Sequence, residues 1–146
     1  MPGIVVGIDG SQHSHFALEW AMRYAALRHL PLNVITVVDR STPSWAGVMV
    51  VINDEPQLTM ALDAAKEAVA KAAVELGDEV PPSVTTQAYL GIPEEILIRE
   101  SQDAELLVVG SRGASGFARL MMGLVSTPVA HHSQVPVVIV PGPHEE

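Results

Sequence analysis

Apolar positions in this chain alternate between short continuous runs and longer stretches at helical spacing. Ile4–Ile8 is an apolar run, and from Phe16 to Ala25 the apolar positions recur every three or four residues. The first pattern predicts a buried strand and the second an amphipathic helix. A second run follows Pro31 at residues 32–38. This part of the chain therefore predicts a β-α-β unit.

The pattern is weakest in the segment that follows, residues 40–56. Pro43, Gly47, Asn53 and Pro56 surround an apolar stretch at residues 48–52, and such breakers predict an irregular crossover. The apolar stretch is compatible with a loop, a short strand or a contact surface. Beyond it the periodicity predicts helices and strands in alternation: helices at 58–76, 93–100 and 125–132, and strands at 84–90, 106–109 and 137–140.

Strands that are apolar on both faces and alternate with helices are typical of a parallel sheet covered by helices on both sides. We therefore predict an α/β fold with a five-stranded parallel sheet. A direction change after the third strand gives the order 3-2-1-4-5, which places the first and fourth strands side by side. The 146 residues, 48% of them hydrophobic, fit one domain over residues 1–146.

Charge and composition remove several function classes. The 17 acidic and 8 basic residues give a formal charge of -9, so a nucleic-acid surface would oppose the chain's own field, and we expect no nucleic-acid partner. The absence of cysteine excludes a disulfide framework and a thiolate nucleophile, and it suits a cytoplasmic location. We find no apolar window approaching the roughly 20 residues of a membrane span, nor a targeting segment.

Glycines after the fourth predicted strand have the outline of a phosphate-binding loop. Gly110 and Gly113 are separated by two residues, and Gly123 follows after nine more. Glycines let the backbone turn sharply and bring main-chain N–H groups close to an anion, and a helix that starts near Leu124 would favour negative charge at its N-terminus. The spacing predicts a bound nucleotide; glycines that only serve tight turns are the alternative.

The remaining candidates lie at the carboxyl ends of the first two strands, where ligands bind in such sheets. Asp9, Gly10 and Ser11 end the first strand, and they would also suit a turn followed by a helix N-cap. Val37 and Val38 end the second. Arg112 lies within the glycine loop, where it would pair with a phosphate or remain a solvated surface side chain.

Signals for catalysis are missing. No Gly-Lys-Ser or Gly-Lys-Thr follows the glycines, and no Gly-x-Ser-x-Gly elbow is present, so neither a phosphate-clamping lysine nor a hydrolase nucleophile is indicated. His13 and His15 are two residues apart, which is poor geometry for a metal pair on a helix, and His131 and His132 suit a helix C-terminus. We predict no structural zinc and no catalytic residue.

Five motifs together resemble the universal stress proteins over essentially the whole chain. The first strand closes in Gly-x-Asp-Gly-Ser, the next helix carries Ala-Leu-x-Trp-Ala, Gly-x-Pro forms a turn, and the last strand is Pro-Val-Val-Ile-Val; here they are residues 7–11, 17–21, 91–93 and 136–140. Gly110, Gly113 and Gly123 fit the family's ATP-binding pattern. Leu124 departs from it, since a serine or threonine usually stands there.

The resemblance implies a Rossmann-like, adenine nucleotide alpha hydrolase-like fold and ATP as the ligand, with Mg²⁺ or Mn²⁺ as the candidate metal. It implies that Asp9 contacts the ribose or the metal and that the Val37 backbone meets the adenine. The phosphates would be held by the glycines and by Ser126, beside Leu124 and Val125. Without a hydroxyl at Leu124, one hydrogen bond to a charged phosphate is lost, about 1.5–3 kcal/mol or one to two decades of affinity.

These observations predict a regulatory ATP-binding protein with slow hydrolysis at most. One alternative is a dimeric interaction module that has lost ATP or binds cyclic AMP, which Leu124 favours; another is a slow ATPase. Strand Val137–Val140 would lie at the sheet edge, and an apolar edge is protected by pairing. The resemblance also implies a homodimer through this strand.

Overall fold

The computed structural model describes residues 3–39, 54–111 and 125–142. Strands and helices alternate along them. The strands are β1 (Ile4–Ile8), β2 (Leu32–Asp39), β3 (Val84–Gly91), β4 (Leu106–Gly110) and β5 (Val137–Val140), and the helices are α1 (Gln12–Arg28), α2 (Asp54–Leu76), α3 (Pro93–Glu100) and α4 (Ser126–His132). The predicted apolar stretch at residues 48–52 lies outside the described residues.

The five strands form one parallel sheet in the order β3-β2-β1-β4-β5. The predicted order is therefore confirmed. β1 is central: Ile4 lies opposite Leu32 of β2 and opposite Leu106 of β4. β3 and β5 are the two edge strands, because each pairs with one neighbour in the described sheet.

Strand alternation divides the core into two clusters, one on each face of the sheet. Ile4, Val6 and Ile8 pack with buried residues of α1 and α2 on one face. Val5 of the same strand packs with residues of α3 and α4 on the other. Because successive side chains of a strand point to opposite faces, a continuous apolar run supplies both clusters. The sheet is thus covered by helices on both sides, as predicted.

A glycine in β1 lets α3 approach the sheet. A Cβ built on Gly7 would lie 2.8 Å from Cδ1 and 2.9 Å from Cδ2 of Leu97, a side chain of α3 that is 4% exposed. Contacts this short essentially never occur with real Cβ atoms, so a larger residue would require the Leu97 side chain to shift within the packed core. The absence of a side chain at Gly7 therefore leaves room for Leu97 against the central strand.

Two details of the helices differ from the sequence prediction. α2 begins at Asp54, so Pro56 lies in its first turn instead of in the crossover; a proline is tolerated there because the first N–H groups of a helix have no intrahelical partner. In α1 the most deeply buried large side chains are Leu18 and Met22, at 0% and 1% exposure, while Phe16 is 36% exposed.

Other features of the helices are confirmed. Trp20 and Tyr24 pack against the core on the α1 face, with ring centroids 5.0 Å apart. Gly77 follows α2 with φ +62° and its N–H donates to the carbonyl of Ala73, as expected of a residue in the C′ position. Among the helices of the described ranges, none combines the length and apolar character needed to cross a membrane.

Candidate functional site

The turn after β1 is built by Asp9 and Gly10. A carboxylate oxygen of Asp9 accepts a hydrogen bond from the Ser11 N–H at 2.9 Å, which is an Asx turn. Gly10 has φ +84°, and a Cβ built there would meet nothing within 4 Å. Glycine is therefore favoured at this position by the left-handed backbone and not by crowding. The turn presents Asp9 at the carboxyl end of the central strand.

Ser11 and Ser14 join this turn to the first turn of α1. Ser11 is the N-cap, with extended backbone, and its hydroxyl accepts from the Ser14 N–H at 3.1 Å. The Ser14 hydroxyl donates to the Ser11 carbonyl at 3.0 Å and accepts from the Asp9 N–H at 3.2 Å. The turn-and-cap interpretation of these residues is confirmed. A ligand role for Asp9 is compatible with it, because one carboxylate has several acceptor positions.

Ser14 was missed by the sequence prediction. It is 4% exposed and holds both ends of the turn. The available signal was its spacing, since a residue three positions after a serine N-cap supplies the N–H that the cap accepts. What the spacing does not reveal is the bond back to Asp9, which depends on the direction in which the chain leaves β1.

Adjacent strand ends bring the Asp9 turn beside Gly110. β1 and β4 are neighbours in register from Ile4 with Leu106 to Val6 with Val108, so Asp9 follows one strand and Gly110 ends the next. Gly110 is paired with Val140 of β5, and the Ser111 N–H donates to the Val140 carbonyl at 3.0 Å. The predicted juxtaposition of the Asp9 turn with the start of the glycine loop is confirmed at the level of strand order.

Val37 and Val38 lie on the other side of the Asp9 turn. The pairing of β1 with β2 ends at Ile8 and Thr36, whereas β2 continues beside β3 as far as Asp39. Val37 and Val38 therefore extend beyond the β1 ladder while their other side remains paired, and both side chains are half-buried. The main chain of Val37 and Val38 therefore lies next to the Asp9 turn, on the side away from Gly110.

Tyr89 and Glu100 hold α3 beside the same part of β2. Tyr89 is opposite Val37 in the β2–β3 register, and its hydroxyl donates to Glu100 at 2.7 Å. Burial, followed by this hydrogen bond to Glu100, raises the pKa of Tyr89 to about 12, while the hydrogen bond from Tyr89 lowers the pKa of Glu100 below its ordinary value. The pair anchors the last residue of α3 to an edge strand.

Of the remaining residues predicted to bind the phosphates, the structure describes only those at the start of α4. Val125 precedes α4 with backbone angles of φ -102° and ψ -45°, and Ser126 opens the helix with 4% exposure. Within residues 125–142 no side chain caps this helix start. Arg112, Gly113, Gly123 and Leu124 lie outside the described residues.

The sheet topology and the position of the turns identify the fold class of this protein. A parallel sheet with a direction change, and with turns gathered at the carboxyl ends of its central strands, is an open α/β fold, a class in which ligands generally bind at that edge. The universal stress protein family model matches residues 2–141. The chain therefore belongs to the universal stress protein family.

Individual relatives agree with this assignment. A universal stress protein of Mycolicibacterium smegmatis is 34% identical over 141 residues, which are 96% of this chain and 48% of the relative. The chain thus spans about half the length of the curated relatives it matches. Two solved structures are similar along nearly their full length. Universal stress protein UspA from Lactobacillus plantarum has a TM-score of 0.72 and 23% sequence identity, and the match covers 95% of this chain and 97% of that one. A universal stress protein in complex with cAMP has a TM-score of 0.67 and 26% sequence identity, and the match covers 96% of each chain.

Proposed function

We propose that this chain binds an adenine nucleotide, with ATP as the physiological ligand and Mg²⁺ or Mn²⁺ as its metal, at the carboxyl edge of the sheet. The observation that carries the proposal is the position of Asp9 between two neighbouring strand ends, with Gly110 on one side and Val37 and Val38 on the other. A carboxylate suits a ribose hydroxyl or a hard cation, and exposed main chain suits the adenine edge.

Each candidate has a role in this proposal. Asp9 contacts the ribose or the metal, while Gly10 and Ser11 shape the turn that holds it. The main chain of Val37 and Val38 meets the adenine. The phosphates are taken by main-chain N–H groups and one hydroxyl of the fourth strand end and the last helix: Gly110, Gly113, Gly123, Leu124, Val125 and Ser126. Arg112 adds a charged contact to a phosphate.

The structure in complex with cAMP supports an adenine ligand, because that protein shares the fold and 26% of its residues with this chain. It also keeps cyclic AMP as the alternative ligand. Leu124 favours this alternative, since a cyclic monophosphate has no β- or γ-phosphate to use the hydroxyl that is absent here. Competition between ATP and cyclic AMP therefore identifies the ligand as well as the site.

The nucleotide acts as a regulator in this proposal, within a stress response in the cytoplasm. The sequence has no lysine in its glycine loop to stabilise a transferring phosphoryl group, so hydrolysis is slow and incidental. ATP orders residues 111–122 and changes the surface that they present. A slow ATPase is the rival, and phosphate release measured with and without Asp9→Ala distinguishes the two: a regulator shows the same negligible rate in both proteins.

The partner in this proposal is a second copy of the chain, joined through β5. β5 is an edge strand and its Ile139 is 42% exposed, so pairing would cover an apolar strand edge. Ile139→Glu places a charge in that contact. Sedimentation equilibrium should give a dimer for the wild-type chain and a monomer for the variant, with unchanged circular dichroism; a wild-type monomer at high concentration would refute the dimer.

Calorimetric titration with ATP and Mg²⁺ tests the nucleotide, after denaturation and chromatography have excluded carried nucleotide. We expect saturable binding that weakens at least tenfold in Asp9→Asn, whose amide oxygen still accepts the Ser11 N–H while its charge is gone. Asp78→Asn, at an exposed residue beyond α2, is the matched control and should bind normally. Absence of heat in a protein free of nucleotide would refute the proposal.

Leu124→Ser provides a gain-of-affinity test. A hydroxyl at this position restores the missing bond to a phosphate, so ATP affinity should rise by about one to two decades, corresponding to about 1.5–3 kcal/mol. Cyclic AMP affinity should stay within about twofold, as a ligand without a β-phosphate gains no such bond. Equal gains for the two nucleotides would contradict the placement of residue 124 beside the outer phosphates.

A further inference from the structure

A cluster of three metal-ligating side chains joins α1 to α2. His15 and Glu19 are one turn apart on α1, and Glu75 comes from the last turn of α2. The His15 Nε2 atom lies 2.9 Å from a Glu19 carboxylate oxygen and 3.3 Å from a Glu75 oxygen. One ligand atom from each residue can be chosen so that all three lie within 4.8 Å of one another.

The spacing of these atoms suits a small divalent cation. Zinc bonds to imidazole nitrogen and carboxylate oxygen are about 2.0–2.2 Å long, so neighbouring ligands of a tetrahedral ion are about 3.3–3.6 Å apart. The 3.3 Å between His15 and Glu75 falls in that range, whereas the 2.9 Å between His15 and Glu19 is a hydrogen-bond length that would have to open slightly around an ion. Glu75 is 43% exposed, whereas His15 and Glu19 are 23% and 16% exposed, which leaves an open side for entry and for a water ligand.

Charge in the cluster also favours a cation. Two carboxylates converge on one ring nitrogen, so a neutral imidazole leaves two negative groups close together with at most one N–H between them. The other Glu19 oxygen is 3.9 Å from Arg23, which is itself 3.5 Å from Glu79. The cluster thus offers a cation two carboxylates and one imidazole nitrogen at a single point between the helices.

We propose that His15, Glu19 and Glu75 bind Zn²⁺ and thereby fasten α1 to α2. The ion would replace the proton that otherwise bridges His15 to the carboxylates, because a metal takes imidazole in its neutral form. This site is separate from Asp9 and does not depend on a nucleotide. On sequence spacing alone, His13 is a poor zinc partner for His15; the structure instead supplies a carboxylate from the next turn and one from another helix.

The test is a Zn²⁺ titration of the nucleotide-free protein against a chromophoric chelator. We expect one Zn²⁺ per chain, with affinity at least tenfold weaker in His15→Gln and in Glu75→Gln. Glu75 is exposed, so its substitution leaves the fold intact even if His15→Gln disturbs it. In spectra of the histidine rings, one equivalent of Zn²⁺ should shift the His15 signals first.

Two controls separate this site from others. Glu67→Gln removes an exposed carboxylate of the same helix, and the double variant His131→Gln/His132→Gln removes two exposed neighbouring imidazoles at the end of α4. Both should bind Zn²⁺ as the wild type does. Zinc binding that survives in Glu75→Gln, that disappears in the double variant, or that is absent from the wild type would overturn the proposal and leave the cluster as an ion pair.

Discussion

Two of the helices that begin at the carboxyl edge of the sheet, α1 and α4, have first turns that are built differently. At α1, Ser11 accepts the Ser14 N–H, and the chain is held back to Asp9 by the Ser14 hydroxyl. At α4, Val125 stands in the N-cap position, and among residues 125–142 no side chain caps the helix. The first helix start is completed by its own residues, whereas the second has no such cap in the described part of the chain.

With the nucleotide site as proposed, this difference should separate effects on stability from effects on nucleotide affinity. The first N–H groups of a helix need partners from side chains, water or a ligand. Because α1 satisfies part of this need internally, we expect its first turn to form without a nucleotide. Substitutions at α1 should therefore change the free energy of unfolding, and substitutions at the start of α4 should change nucleotide affinity. Three predictions test the stability side of this division and a fourth concerns α3, beginning with the largest expected effect.

Ser14→Ala should have the largest effect on stability. The substitution removes a buried hydroxyl that makes two hydrogen bonds in the Asp9 turn, at a cost of about 1–3 kcal/mol. Ser126→Ala, at an equally buried serine of α4, is the matched control and should cost about 0.5 kcal/mol or less, since alanine is the better helix former. Urea unfolding measures both. Equal losses would mean that the two helix starts are equally dependent on internal bonds.

Gly10→Ala should come next. The backbone at this position has φ +84° with open space around the missing Cβ, so the cost is conformational strain alone, about 1–2 kcal/mol. Gly10→Asn should cost less, because asparagine tolerates left-handed backbone. Thermal unfolding of the two variants checks the order. Similar losses for alanine and asparagine would indicate a clash instead of strain.

Ser11→Ala should lower stability by about 1 kcal/mol, since it removes the cap of α1. Ser11→Asp keeps a cap acceptor and should remain close to the wild type. Far-ultraviolet circular dichroism during urea unfolding gives the free energies. A wild-type result for Ser11→Ala would mean that the Ser14 hydroxyl alone maintains the turn.

The smallest expected effect concerns α3. This helix also begins without a side-chain cap, at Ile92, and its last residue, Glu100, is held by the Tyr89 hydroxyl. The pKa of Tyr89 is about 12, raised from 10.0. A raised pKa stabilises the fold below pH 10, and this contribution is lost as the pH rises from about 10 to about 12. Tyr89→Phe should remove this part of the pH dependence at a cost of about 1 kcal/mol at pH 8. Unfolding of both proteins at pH 8–11 measures it; parallel curves would contradict the assignment.

Local sequence patterns predicted the fold well, because each strand is an apolar run between breakers and supplies both core clusters. The strand order followed from one direction change. The predicted start of α2 was a few residues too late, because Pro56 was interpreted as a breaker although proline is allowed in the first turn of a helix. Phe16 was expected on the apolar face, but the packed face of α1 is centred on Leu18 and Met22.

The candidate site was predictable only as far as it is local. The turn at Asp9 and its position beside Gly110 followed from residue types and strand order. The bond from Ser14 to the Asp9 N–H depends on the exit angle of the chain from β1. The approach of His15 to Glu75 depends on how two helices pack, which no sequence spacing records. Contacts that depend on how separate segments pack could therefore not be predicted from the sequence.

The central position of β1 has a consequence for the order in which the fold is assembled. Of the five described strands, β1 is synthesised first, and one of its two partners, β2, follows closely. The other partner is β4, so Ile4 cannot pair with Leu106 until the intervening residues have been made. Until then the β4-facing edge of an almost wholly apolar strand remains open, in a topology where every ladder joins distant residues. We therefore expect this region of the nascent chain to be prone to aggregation while residues 40–105 are being synthesised.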